Sequence, residues 1–282
     1  MDIKPLDATF GAVITGVDLT SLSNHEFESI YATWLDHALL IFPEQYLDRD
    51  QQIAFARRFG ELEFDIAPIS NVKKDGSLRA DDDSDDVMKI IKGNMGWHAD
   101  STYMPIQAKG AVFTAHEVPA DGGETGWADM RAAFDALDET ERRQVEKFSA
   151  YHSLHYSQSK LGHAHNESSE YSGYGFHNED PPLRPLVKTH PETGRKSLLI
   201  GRHAYGIPGL SSEASERLLD ELIEFACQTP RTYYHTWSPG EAVIWDNRCL
   251  LHRACPWDLN EPRVMYHSRI KGDEASEFAA SG

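Results

Sequence analysis

The stretch Ala242-Val-Ile-Trp-Asp-Asn-Arg-Cys-Leu-Leu-His-Arg253 reads as a core strand ending in a histidine, and Arg263-Val-Met-Tyr-His-Ser-Arg-Ile270 resumes an alternating strand after Pro256, Asp258, Asn260 and Pro262 interrupt it. Two strands joined by so short a break are expected to pair antiparallel, which would bring Arg263 back beside His252. A cation placed there needs an anion, since a buried guanidinium is stable only when paired.

His252 also needs company, and Trp97-His98-Ala99-Asp100 offers it. On an extended strand residues i and i+2 share a side, so His98 and Asp100 would present an imidazole and a carboxylate together. Two histidines and one carboxylate on one face suit iron(II) and leave positions open for a chelating keto acid and for dioxygen. The far carboxylate of such an acid would meet Arg263, a description that fits 2-oxoglutarate. The same donors could instead hold zinc and activate water in a hydrolase. A β binding module without catalysis is the third possibility.

Around these motifs, strand-like pieces occupy residues 90–103, 109–118, 185–201, 241–253 and 263–270, and helical patterns cover 129–148 and 212–227. Ser23 with Glu26, and Asp48 with Gln51, are capping boxes that open two earlier helices. Strands and helices do not alternate regularly, so the expected fold is mainly antiparallel β with flanking helices, a barrel or jelly roll. No repeat or linker divides the chain, which predicts one domain over residues 1–282. Loop or lid segments are expected near 70–90, where residues 81–86 are almost all aspartate, and near 150–182. The tail after Gly272 is expected to be loose, and His152, His155, His163, His165 and His177 to be exposed imidazoles.

Composition narrows the function classes. In 282 residues, 27 Lys+Arg against 45 Asp+Glu give a net charge of −18, which repels phosphate backbones and anionic membranes. No run approaches the roughly 20 apolar residues needed to span a bilayer, and the N-terminus lacks a signal-peptide pattern. A cytoplasmic enzyme follows, with Cys227, Cys249 and Cys255 as reduced thiols. Its partners would be small molecules, with neither nucleic acid nor membrane, and a homo-oligomer is expected.

Several spaced segments carry a resemblance over nearly the whole length. Gly93-Asn-Met-Gly-Trp-His-Ala-Asp-Ser-Thr-Tyr-Met-Pro105, Gly122-Gly-Glu-Thr-Gly126, Leu199-Ile-Gly-Arg-His203 and Trp245-Asp-Asn-Arg-Cys-Leu-Leu-His-Arg253 resemble the taurine dioxygenase family of iron(II)- and 2-oxoglutarate-dependent dioxygenases, most of all its aryloxyalkanoate-oxidising members. The resemblance implies a distorted jelly roll, with His98, Asp100 and His252 as iron ligands and Thr125 and Arg263 gripping 2-oxoglutarate beside Trp245. It implies hydroxylation, using dioxygen, of the carbon next to the ether oxygen of an anionic aromatic substrate. A phenol, a keto acid, succinate and carbon dioxide would be released.

On the substrate side the resemblance points to Asn94 and to the Arg202-His203 pair. Members acting on taurine have an arginine four residues beyond the cosubstrate arginine; here that position is His267, and Arg269 follows two residues later. Sulfonates, sulfate esters and other small carboxylates remain alternative substrates, and Thr125 and Trp245 could also be a turn hydroxyl and ordinary core.

Overall fold

The chain opens with β1 (Asp2–Pro5) and β2 (Ala12–Thr15), an antiparallel pair. Ser23 accepts from the Glu26 backbone N–H while the Glu26 carboxylate accepts from the Ser23 N–H, starting α1 (Asn24–His37), which buries Ile30 and Trp34. Ala38, at φ 62, turns the chain into β3 (Leu39–Phe42), buried throughout. A second capping box, Asp48 with Gln51, starts α2 (Arg49–Arg57), and β4 (Leu62–Ser70), α3 (Asp86–Gly93), β5 (Gly110–Glu117) and β6 (Thr125–Asp129) follow. The middle of the chain adds α4 (Met130–Ala136), α5 (Glu139–Val145), β7 (Ser149–His152), α6 (Leu154–Ser159), β8 (Leu183–Pro185), β9 (Val187–Thr189), β10 (Lys196–Leu198) and β11 (Ala204–Tyr205). After α7 (Ser212–Ala226) come β12 (Thr232–His235), β13 (Ala242–Asp246), β14 (Leu250–Ala254), β15 (Val264–Ile270) and α8 (Glu274–Glu277). The computed structural model describes residues 1–80, 85–162 and 180–279, so residues 81–84 of the first expected lid segment and 163–179 of the second, with His163, His165 and His177, lie outside the described residues.

The largest sheet has seven strands in the order β1-β2-β3-β13-β5-β15-β4, antiparallel except for β2 against β3. A three-stranded sheet, β12-β6-β14, carries Thr125 and His252. Ile41, Phe113, Trp245 and Met265 of the large sheet share one buried cluster with Trp127 and Leu250 of the small one, so the two sheets face each other across it. The fold is mainly β with helices on its flanks, as the strand pattern implied.

Several boundaries differ from the sequence reading, each for a local reason. The run 241–253 is two strands, because the Asp246 carboxylate accepts from the Arg248 backbone N–H at 3.0 Å, from Nε at 2.8 Å and from Nη2 at 2.7 Å. That turn sends β13 into the large sheet and β14 into the small one. The expected hairpin therefore does not form: β14 pairs with β6, while β15 lies between β4 and β5. The start of the expected 90–103 strand is helical, since Asp85 caps the N–H groups of Val87 and Met88 and α3 buries Val87, Met88 and Ile91 as a small cluster. His98 is left in an isolated bridge to His252, not in a strand. Asp138 starts a new capping box with Glu141, which divides the helix expected over 129–148 into α4 and α5. The run 185–201 folds back on itself, with β9 paired to β10.

The tail after Gly272 is ordered as far as the described residues run. Glu277 is 1% exposed and pairs with the buried Lys188, while Arg184 donates to the Glu277 carbonyl at 3.1 Å and Ala279 N–H donates to Pro105 at 2.9 Å. Nothing near residue 277 in sequence announces these partners. His152 is also buried, at 1% exposure, on a strand paired with β11. Removing one member of a buried ion pair leaves the other charge desolvated, so Glu277→Ala should lower unfolding free energy by about 3 kcal/mol in urea denaturation; an unchanged midpoint would show that the tail contributes nothing to the fold.

Candidate active site

Two backbone hydrogen bonds, His98 N–H to His252 O at 3.0 Å and His252 N–H to His98 O at 2.8 Å, set the two imidazoles side by side, with ring centroids 4.2 Å apart. Asp100 is held by its backbone: the Asn247 side chain accepts from its N–H at 2.7 Å and donates to its carbonyl at 2.9 Å. The next residue, Ser101, takes φ 57, which turns the chain away at once. One donor atom from each of His98, Asp100 and His252 lies within 4.8 Å of the others. Nε2 of His98 stands 4.0 Å from Asp100 Oδ1, and Nε2 of His252 stands 3.9 Å from Oδ2.

The electrostatics suit a metal. His98 Nδ1 lies 2.8 Å from the Gly96 carbonyl, which can only accept, so the proton sits on Nδ1 and Nε2 presents its lone pair. Burial pushes His98 well below the ordinary imidazole range, with His252 adding to the effect, and burial lowers His252 as well, so both are neutral donors. Burial alone would raise the Asp100 carboxyl, but the Arg269 guanidinium outweighs it and keeps the group ionised. Asp100 Oδ2 is buried without a hydrogen-bond partner. Two neutral imidazoles and an ionised carboxylate with an unmatched oxygen fit a divalent cation.

A second cluster of the same residue types, His190, Asp246 and Cys249, behaves differently. His190 Nδ1 accepts from the N–H groups of Glu192 and Thr193, so its Nε2 donates to Asp246 at 2.9 Å. With Arg248 occupying both oxygens of Asp246, that cluster has no lone pair to offer and holds the β13–β14 turn.

A cavity of about 320 Å³ opens beside His98, Asp100 and His252. Arg263 lines it although β14 and β15 sit in different sheets. Its Nε donates to the Gly123 carbonyl at 3.1 Å and its guanidinium lies 5.3 Å from the Trp257 ring centre. No carboxylate among the described residues stands within ion-pairing range of Arg263, and burial lowers it to about 10. Gly122 and Gly123, at φ 75 and 70, let the loop pass this close; a Cβ on Gly123 would come within 3.3 Å of Arg263 Cδ. Thr125 lies two residues on, 4% exposed and on the same cavity wall. The Trp245 ring lies 4.8 Å from that of His252 and stacks on His267 at 5.7 Å.

The candidate substrate residues scatter more. Asn94 ends α3 on the cavity wall, where its carbonyl accepts from Ala254 N–H at 2.8 Å. His203 also lines the cavity, edge-on to Tyr103 at 4.9 Å, with Nδ1 2.8 Å from Ser157 Oγ. Its neighbour Arg202 points elsewhere, into an adjoining cavity behind the Gly93–Trp97 segment, where a Cβ on Gly93 would meet Nη1 at 2.8 Å. Arg269 Nη2 pairs with Asp100 Oδ1 at 3.1 Å.

Two contributions escaped the sequence reading of the site: the hold of Asn247 on Asp100, and the packing of His267, which that reading met only as the position of the taurine-type arginine. Asn247 lies inside the Trp245–Arg253 segment but acts through contacts that spacing does not encode. His267 could have been found, because strand alternation from Arg263 places 265, 267 and 269 on one face. Its Nε2 lies 3.6 Å from Asp100 Oδ2, and burial, with Arg269 nearby, pushes the ring down to about 3.

Comparison with known proteins meets this geometry from another side. The chain is 67% identical over 279 residues to the (S)-phenoxypropionate/alpha-ketoglutarate-dioxygenase of Sphingobium herbicidovorans, a match covering 99% of this chain and 97% of that protein. It is 36% identical over 287 residues to the alpha-ketoglutarate-dependent 2,4-dichlorophenoxyacetate dioxygenase of Cupriavidus pinatubonensis, covering 96% and 97%. The crystal structure of AAD-2 in complex with Mn(II) and N-oxalylglycine superposes with a TM-score of 0.88 at 36% identity, over 97% of this chain and 99% of that one. Residues 2–269 match a family profile, and with sequence and backbone agreeing end to end, the chain belongs to the taurine catabolism dioxygenase TauD, TfdA family.

Proposed function

We propose that this chain is an iron(II)- and 2-oxoglutarate-dependent dioxygenase of aryloxyalkanoates. It hydroxylates the carbon next to the ether oxygen, and the product collapses to a phenol and a keto acid while 2-oxoglutarate becomes succinate and carbon dioxide. The observation that carries the reading is one cavity lined both by a buried His98-Asp100-His252 cluster and by an Arg263 guanidinium that has no carboxylate among the described residues. The 67% identity to a protein named for (S)-phenoxypropionate supports the substrate class.

In this reading His98, Asp100 and His252 hold the metal, and Arg263 and Thr125 take the distal carboxylate of 2-oxoglutarate beside Trp245. Iron(II) and the keto acid, when bound, supply dioxygen activation and the oxidising power that exchanges a substrate hydrogen for hydroxyl. The protein's own share is to orient and to exclude water. Asn247 fixes the Asp100 backbone, and the Gly96 carbonyl fixes the His98 tautomer. Phe64, Ile69, Ile91, Tyr103 and Phe113 give the cavity an apolar wall for an aryl ring. Asn94 and His203 would face the substrate carboxylate, with Arg202 behind His203 and Arg269 on Asp100 adding positive charge. The two facing sheets are read as a distorted double-stranded β-helix, a jelly roll, and the whole chain as one domain. A cytoplasmic, homo-oligomeric enzyme completes the proposal; the free thiols of Cys227, Cys249 and Cys255 fit a reducing compartment.

The deciding experiment is a substrate panel of aryloxyalkanoates, alkyl sulfonates and sulfate esters, scored by succinate and phenol formation with iron(II). Phenoxypropionates should turn over; activity with sulfonates alone would remove the carboxylate reading, and full activity with zinc and no keto acid would make the protein a hydrolase. Arg263→Met should raise the KM for 2-oxoglutarate by roughly 30-fold or more, since losing one member of a buried charge pair costs about 2 kcal/mol or above. Asn247→Ala should weaken Mn(II) binding about 10- to 100-fold, read by titration, as expected for a residue that orients a ligand from behind.

A further inference from the structure

We propose that Trp237 is a positioning residue for the cosubstrate: its indole N–H orients the Thr125 hydroxyl so that the hydroxyl proton points to the distal carboxylate. The inference rests on the reading that Thr125 and Arg263 bind that carboxylate. Trp237 Nε1 lies 3.0 Å from Thr125 Oγ1, and both side chains are buried, at 7% and 4% exposure. An indole nitrogen only donates, so Thr125 Oγ1 must accept there. Its own O–H is left to donate, and among the described residues no acceptor lies within hydrogen-bonding range of it. The cavity wall that Thr125 shares with Arg263 is the place where an acceptor would come from.

The indole is itself held for this purpose. The Glu241 carboxylate accepts from the Ser238 backbone N–H at 2.8 Å and lies 2.8 Å from His235 Nε2, so one acid ties the chain on both sides of residue 237. The His235 ring packs edge-on to the indole at 4.7 Å and Phe113 does the same at 5.7 Å. With two rings packed against it and the chain tied on both sides of residue 237, the indole N–H is held on Thr125 Oγ1. A threonine hydroxyl left to rotate would present its lone pairs to an arriving carboxylate for part of the time, and those orientations repel it.

The test compares binding of 2-oxoglutarate with that of 2-oxopentanoate, a keto acid of the same chain length without the distal carboxylate, by calorimetry on the Mn(II)-loaded protein. Trp237→Phe should weaken 2-oxoglutarate about 3- to 10-fold, the usual span for one hydrogen bond, and leave 2-oxopentanoate unchanged. Thr125→Val should lose the same selectivity, and the double variant should bind no worse than Thr125→Val alone. Equal weakening of both keto acids, or losses that add in the double variant, would reduce Trp237 to packing and overturn the proposal. If wild-type protein did not prefer the diacid, the assignment of Thr125 and Arg263 would itself fail, and the proposal with it. Should Trp237→Phe not fold, 3-benzothienylalanine at position 237 removes the N–H while keeping the indole shape, and the same comparison decides.

Discussion

A single antiparallel bridge between His98 and His252 organises the site, and the rest of the structure is arranged to keep it closed. His252 is held in the β14–β6 ladder, but the bridge to His98 is isolated and no neighbouring pair reinforces it. Point contacts take a neighbouring pair's place: Arg202 N–H donates to the Trp97 carbonyl and Ala254 N–H to Asn94, both at 2.8 Å. Arg202 lies across Gly93 and Gly96, so close that a Cβ at Gly93 would come within 2.8 Å of its Nη1 and one at Gly96 within 3.2 Å of its Cδ. Asn247 then fastens Asp100 from the opposite side. A segment without regular secondary structure is thus pinned as firmly as a strand, while its side chains stay free to face the cavity.

Charge is distributed against the direction that composition suggests. The protein carries a net charge of −18, yet Asp100 is the one carboxylate among the described residues lining the cavity, where Arg263, Arg269 and several imidazoles gather. At physiological salt the surface field is screened over about 8 Å, so an anionic keto acid and an anionic substrate respond to the Arg263 and Arg269 guanidinium groups once inside.

The two clusters built from histidine and aspartate show how little residue identity decides. At His190 and Asp246 every lone pair and proton has a protein partner, and the result is a rigid turn. At His98 and Asp100 the same groups are buried with an oxygen left unmatched. Asn247 connects the two, since it follows Asp246 in the turn that one cluster stabilises and holds the backbone of the other. A rigid structural cluster therefore supports the site whose own groups are left open for a ligand.

Much of this was written in the chain itself. The alternation of apolar residues gave away the β character of the fold, and the two capping boxes the starts of α1 and α2, because such signals depend on neighbours in sequence. The spacing of His98 and Asp100, and the offset of Arg263 from His252, likewise marked out the residues that now share a cavity. Sequence could not show how they meet. The supposed hairpin between β14 and β15 is replaced by two sheets that face each other, because the Asp246–Arg248 turn switches the chain from one sheet to the other. The burial of Glu277 on Lys188, the retreat of Arg202 behind Gly93 and the pairing of Arg269 with Asp100 also belong to tertiary structure alone. Each depends on which distant charge or surface is brought within a few ångströms, and local pattern carries no record of that.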